Sequence, residues 1–211
     1  MKSKKYHKTL KKKGKQDRSK ATIETILQGA AHVLVKEGYE GTNTNRIAEV
    51  AGVSIGSIYQ YFSNKESIIE ELIELHIQKL MNVFLEKFNT LSTVSLKDGI
   101  PMLIRSRIEA RSVEPELQRV FDEQLPKVGK LRRLKEYENQ AVEMIKDYLQ
   151  SKKSEVSVKN LEMAAFVSVY AVEGVIQAAL YNRQDIRAGG HLENELTNFI
   201  VRYLVADNQK H

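Results

Sequence analysis

Half of the first twenty residues are cationic. Lys2, Lys4, Lys5, Lys8, Lys11, Lys12, Lys13, Lys15, Arg18 and Lys20 stand against a single acid, Asp17. Ammonium and guanidinium groups at that density neutralise phosphates, so the segment suits a polyanion: DNA, RNA or an acidic membrane surface. A solvated, flexible start is the plain alternative. Both hold together, because a flexible basic arm still contacts phosphates. The whole chain carries a formal charge of +6. That is less than this segment alone, so the basic character belongs to the arm and not to the body.

The other reactive residue types are poorly placed for catalysis. Cysteine is absent, which excludes disulfides and thiolate metal sites and fits a reducing compartment. The histidines are His7, His32, His76, His191 and His211, and none lies at i, i+4 from another. No nucleophile–base pair, phosphate loop or metal motif occurs. Neither catalytic residues, a metal nor a cofactor is expected, and the chain reads as a non-enzyme. One charge interrupts the most apolar stretch, Glu173 between Met163 and Leu180. A buried carboxylate requires a partner, and a cationic ligand, Arg105 or Arg107 would serve; an exposed edge is the alternative. The stretch falls short of the ~20 apolar residues of a membrane span, so it predicts a central buried helix and no membrane partner. The basic start runs into the amphipathic Thr22–Ile26 rather than an apolar segment. That is no signal peptide, and a cytoplasmic protein is expected.

The elements that must position these groups are helical. Three prolines and eleven glycines permit long helices. Ile23, Ile26, Leu27, Ala30, Ala31 and Leu34 form one stripe of helical period over about 18–37, and Gly38 follows as a C-cap. Thr44 is the expected N-cap of a short helix over 45–51. Gly52 breaks that helix, and Ser54 caps a second one running from Ile55 to Tyr61 or Phe62. A long helix over about 65–88 comes next. Further helices are predicted over about 96–112, 114–123, 126–151, 158–182 and 190–206. The fold class is all-α with about nine helices.

Two short helices around a tight turn make a hairpin whose second limb can lie in a major groove. Ala48 and Gly52 supply small residues for the crossing, and Ile47, Ala51, Val53, Ile58 and Phe62 supply an apolar inner face. The run from Gly38 to Glu66 carries Thr44, Ile47–Ala48, Ala51–Gly52–Val53–Ser54, Gly56, Ile58–Tyr59, Phe62 and Lys65. In these residues and spacings it resembles the TetR/AcrR family of bacterial regulators. The likeness covers roughly residues 20–80; beyond it, helix count and order agree.

The resemblance implies a basic arm over 1–18 and a three-helix helix-turn-helix DNA-binding domain over 19–79. A helical ligand-binding and dimerisation domain over 80–211 would follow. It also implies roles. Thr44 and Ser54, at helix N-termini, offer hydroxyls and backbone N–H groups to phosphates. Tyr59 and Tyr61 carry phenol donors for the same purpose, Tyr61 standing where histidine is common in the family. Lys65 is a further phosphate clamp. Asn45, Ile55, Ser57 and Gln60 occupy base-reading positions, with Gln60 suited to adenine and Ile55 to a thymine methyl. Gly56 permits close approach of the backbone to DNA. For Tyr59, completion of the small core is the alternative.

In the C-terminal part the resemblance implies a ligand pocket and a two-fold interface. Pocket candidates are Phe84, Phe88, Met102, Phe121, Tyr137, Met144, Phe166, Tyr170, Glu173 and Gln177; aromatic and Met residues at helical spacing also serve as ordinary core. Interface candidates are Ala164, Ser168, Ala171, Val175 and Ala178 on one helix, and Leu196, Phe199, Ile200 and Tyr203 on the last. The two helices would form a four-helix bundle with their mates. The implied protein is a homodimeric regulator of double-stranded DNA, a repressor released from a palindromic operator by a small-molecule effector. A ligand-independent DNA-binding structural or cell-division factor on the same fold, and a transcriptional activator, are the alternatives.

Overall fold

The computed structural model describes residues 3–126, 132–182 and 190–206, with side chains over 18–126, 135–181 and 190–206. Among the described residues there are nine α-helices: α1 (Ser3–Gly41), α2 (Thr44–Ala51), α3 (Ile55–Tyr59), α4 (Lys65–Phe88), α5 (Leu96–Arg111), α6 (Pro115–Gln124), α7 (Arg132–Ser151), α8 (Leu161–Asn182) and α9 (His191–Leu204). The all-α expectation holds. The only extended pairing among them is a lone antiparallel bridge between Val156 and Val205.

Local chemistry sets the helix ends. Gly38 adopts φ 71° and kinks α1, so the regular helix ends at Glu37 and Tyr39–Gly41 add one further turn. Towards the N-terminus the helical backbone continues through the basic run to Ser3 instead of starting near Arg18. Lysine is a good helix former, and Gly14 is the one residue between Ser3 and Arg18 that opposes a helix strongly. The N-cap of α2 is Asn43, not Thr44: Asn43 is extended, and its carboxamide oxygen accepts the Arg46 N–H at 2.9 Å. Asparagine outranks threonine at that position. Ser54 caps α3 as expected, accepting the Ser57 N–H at 3.0 Å. Gly52 takes φ 65°, and a Cβ there would meet nothing within 4 Å. Its role is therefore the left-handed turn, not the helix crossing. The crossing lies at Gly29, where a Cβ would stand 2.7 Å from the Ala51 Cβ.

The chain divides into two units. The first comprises Met1–Leu75 and Glu116–Gly129, the second His76–Pro115 and Lys130–His211. In this division α4 passes from the first unit to the second after Leu75, and α6 belongs with the N-terminal helices. The reason lies in its apolar face: Leu117, Val120 and Phe121, with Leu125 just beyond the helix, are 0–8% exposed. Ile26, Leu27, Ala30, Val33 and Leu34 of α1, Ile47 of α2, Ile58 of α3, and Ile68, Ile69, Leu72 and Ile73 of α4 complete that core.

The second unit has its own core, centred on Leu91, Leu96, Ile100 and Ile104, Leu149, Ala164, Ala165 and Ile176, and Leu196, Ile200 and Leu204. Ser95 caps α5 by accepting the Asp98 N–H at 3.1 Å. After α7 the chain is clipped to the end of α9: Ser157 N–H donates to Leu204 O at 2.8 Å and Ala206 N–H to Glu155 O at 3.0 Å. Glu114 turns the chain between α5 and α6 at φ 50°, an uncommon value for a residue with a side chain. Its carboxylate accepts from Lys79 at 2.6 Å and faces His76 Nδ1 at 3.1 Å. Burial opposes its charge, but Lys79 and His76 together outweigh burial and hold it below the usual carboxylate range.

The α8 helix departs from the buried core helix predicted for it. It is long and apolar enough to cross a membrane by length and composition, yet only 28% of its most apolar window is buried. Ala164, Ala165, Ser168, Ile176 and Ala179 face inward, while Met163, Phe166, Tyr170 and Val175 are 38–54% exposed.

Candidate nucleic-acid interface

The inner face of the hairpin determines what its outer face can offer. Ile47 and Ile58 are fully buried, Ala48 and Phe62 nearly so, and Ala51 and Val53 half-buried. Val53 N–H donates to Ala48 O at 3.0 Å and closes the turn. With Ile58 as the buried anchor of α3, its other side is turned out. Asn45, Ser54, Gly56 and Gln60 are exposed, Ile55 is 38% exposed and Tyr59 57%. Thr44, Ser57, Tyr61 and Lys65 are half-buried. All ten residues expected to meet DNA reach the surface, and Tyr59 does not complete the small core.

Their polar atoms are partly engaged with one another. Thr44 Oγ1 and Tyr59 Oη lie 3.3 Å apart, so the start of α2 and the end of α3 present their hydroxyls together. Ser54 Oγ, occupied as a cap, is 2.8 Å from Ser57 Oγ. Tyr61 Oη donates to Ser19 Oγ at 3.4 Å and ties the turn after α3 to the stretch where the basic run enters α1. Lys65 Nζ donates to Tyr39 O at 3.1 Å and sits 4.2 Å from the centre of the Tyr39 ring. An ammonium has three donors, so Lys65 holds the α1–α2 connector with N–H groups to spare.

Two features of this unit lay outside the sequence reading. Arg46 joins Glu37 and Glu49, each at 2.7 Å, and those two carboxylates, Glu49 foremost, raise its pKa. The cation in α2 therefore fixes α2 to the end of α1. Gln124 accepts the Tyr39 N–H at 2.7 Å. A glycine inside an apolar helical stripe is a legible signal for the Gly29 crossing, since it costs ~1 kcal/mol relative to alanine and needs a packing reason. Nothing local flags Gln124, which lies 85 residues from its partner.

In the second unit, Glu173 meets Arg107, as expected, with Arg107 Nε donating at 2.5 Å, and also Arg111, one helical turn further along α5. Arg107 also donates to Tyr137 Oη at 3.0 Å. Arg105 pairs with Glu193 instead, at 2.7 Å. Among the pocket candidates, Phe84 and Tyr137 are buried, and Phe88, Met102, Met144 and Gln177 half-buried. Phe84 and Phe88 stack with ring centres 5.5 Å apart. Phe121 is fully buried in the first unit, while Phe166 and Tyr170 lie on the open face of α8, 50% and 38% exposed. The interface assignments divide similarly. Ala164, Ser168, Leu196 and Ile200 are buried within the single chain; Val175 and Phe199 are 43% and 53% exposed, and Ala178 is exposed. Ala171 and Tyr203 are half-buried. Small size marked one face of α8, but only its Ala164–Ser168 end packs inward; Ala178 is exposed, and a Cβ on Gly174 would meet nothing within 4 Å.

The family model for the bacterial regulatory proteins of the tetR family matches residues 26–72, and the tetracyclin repressor-like C-terminal domain model matches residues 95–204. The chain belongs to the tetR family. That makes it one of a family of regulators, not of enzymes. The HTH-type transcriptional repressor AcnR of Corynebacterium efficiens is 28% identical over 112 residues, 47% of this chain and 60% of that protein. The matched stretches span 29–60% of the length of the curated relatives. A tetR-family regulator of Mesorhizobium loti shares the fold with a TM-score of 0.73 at 19% identity, covering 90% of this chain and 99% of that one. A SmeT–triclosan complex does so with a TM-score of 0.65 at 18% identity, covering 89% and 93%.

Proposed function

We propose that this tetR-family chain is a cytoplasmic, homodimeric, sequence-specific DNA-binding repressor, released from a near-palindromic operator by a small molecule. The observation that carries the reading is the outward face of α3. Ile58 alone anchors the helix, leaving Ile55, Gly56, Tyr59 and Gln60 exposed beside Thr44 and Ser54. Those groups suit a major groove: hydroxyls and backbone N–H groups for phosphates, a carboxamide for adenine, an apolar side chain for a thymine methyl. Two copies would present two such helices to half-sites about 34–36 Å apart.

The exposed apolar residues Met163, Phe166, Val175 and Phe199 suit a two-fold contact through α8 and α9. The relative named as a repressor supports repression, and the neighbour that is a SmeT–triclosan complex supports binding of a small molecule, from which release is inferred. The α4 helix contributes its first eleven residues to one unit and the remainder to the other. A ligand packed against Phe84 and Phe88 would act on a helix that continues into the DNA-reading unit. Reversing a 1:99 population needs about 5.5 kcal/mol of differential binding.

The test is to capture genomic DNA of the source organism on the purified protein and sequence what is retained. A single near-palindromic motif is the expected result. Retention without sequence preference would overturn the proposal.

A further inference from the structure

The connector between α1 and α2 is held from outside the segment that the N-terminal family model covers. Gln124 closes α6, and its side-chain oxygen accepts the Tyr39 N–H at 2.7 Å. The approach is close. A Cβ on Gly38 would lie 3.0 Å from that oxygen and 3.3 Å from the carboxamide nitrogen, and Gly38 already has φ 71°. The Gly38–Tyr39 peptide and the next are gripped by their carbonyls. Gly38 O accepts the Thr42 hydroxyl at 2.6 Å, and Tyr39 O accepts Lys65 Nζ at 3.1 Å. Tyr39 and Thr42 are 8% and 1% exposed. Asn43, the cap of α2, follows directly.

We propose that Gln124 is a positioning residue for DNA binding. Its carboxamide sets the Gly38–Tyr39 peptide and thereby the orientation in which α2 and α3 are presented. The proposal rests on the reading that α3 meets the duplex. It also assigns α6 a function: α6 follows directly on α5 of the second unit yet packs in the first. Within that unit, a displacement of α6 would reach the α1–α2 connector through Gln124. By reciprocity, a duplex that fixes α2 and α3 must be felt at α6.

The experiment uses the full chain and a duplex carrying the motif recovered by genomic capture. Hydrogen exchange is followed at residues 38–44 and 116–126, with and without duplex. The unmodified protein is expected to gain protection in both segments on binding. Gln124→Leu keeps the bulk and removes the acceptor. It should bind about five- to tenfold more weakly, the effect of removing one hydrogen bond, and should no longer transmit protection to 116–126. Gln124→Glu keeps an acceptor and should restore both. Binding by the unmodified protein with no added protection at 116–126 overturns the proposal without any variant. Equal transmission in Gln124→Leu, or a Gln124→Glu variant as impaired as Gln124→Leu, also overturns it. Failure of the unmodified protein to bind any duplex would instead refute the DNA reading beneath it.

Discussion

Gly29 admits no side chain. A Cβ there would stand 2.7 Å from the Ala51 Cβ and 3.0 Å from the Ala51 nitrogen, so even alanine pushes α2 away from α1. Gly29→Ala should lower the unfolding free energy by about 1–3 kcal/mol, as overpacking does, despite alanine's better helix propensity. Urea unfolding measures this, and an unchanged or higher midpoint would contradict the assigned packing. Gln60 and Lys65 divide specificity from positioning. Gln60→Ala should change which duplexes are preferred, while Lys65→Ala, releasing the Tyr39 carbonyl, should weaken all duplexes by a similar factor. Affinity measured across a panel of single-base variants separates the two, and equal loss of discrimination in both would contradict it. The exposed residues of this surface were legible because motif spacing and the inner apolar positions together fix which side of α3 is free. The engagement of Lys65 with Tyr39, and of Tyr61 with Ser19, was not. Each depends on a backbone carbonyl or hydroxyl brought close only by packing.

Helix periodicity carried the sequence reading of the elements a long way. Expected and observed ends agree within a few residues for α2 and for α4 to α6, because caps such as Ser54 and breakers such as Gly38 and Gly52 act locally. Membership of α6 in the first unit was not legible, since its amphipathic face names no partner. Nor was the open face of α8, since an apolar stripe reads the same whether it meets its own core or a second molecule. Between α5 and α8, Glu173 binds two arginines in a place where the Arg107, Arg111 and Glu173 side chains are 14%, 6% and 15% exposed. Removing the charge takes from two shielded cations the anion that they share. Glu173→Gln should therefore cost about 3 kcal/mol or more in unfolding free energy. Chemical denaturation reads it, and a loss below about 0.5 kcal/mol would show that the pair acts as an exposed one.

For the whole molecule, association and charge are the quantities to measure. Phe199, 53% exposed on α9, lies on the face assigned to the two-fold contact. The unmodified chain is expected to sediment as a dimer, and Phe199→Glu should give monomers at the same concentration. A dimer retained in the variant would move the interface elsewhere. The basic segment should neutralise phosphates beyond those that α3 engages. Deleting residues 1–17 removes eight lysines and one aspartate. Each phosphate that the shortened chain leaves unneutralised should reduce the slope of log affinity against log salt by about 0.9, and an unchanged slope would make the segment a bystander. The most direct test of the whole account is an equilibrium titration of the full chain at one fixed, near-physiological salt concentration, against the genomically captured duplex and a shuffled duplex of the same composition. Binding to the captured duplex at least ~1,000-fold tighter is predicted, the lower end of specific recognition. Equal affinity for the two would mean that α3 does not read bases.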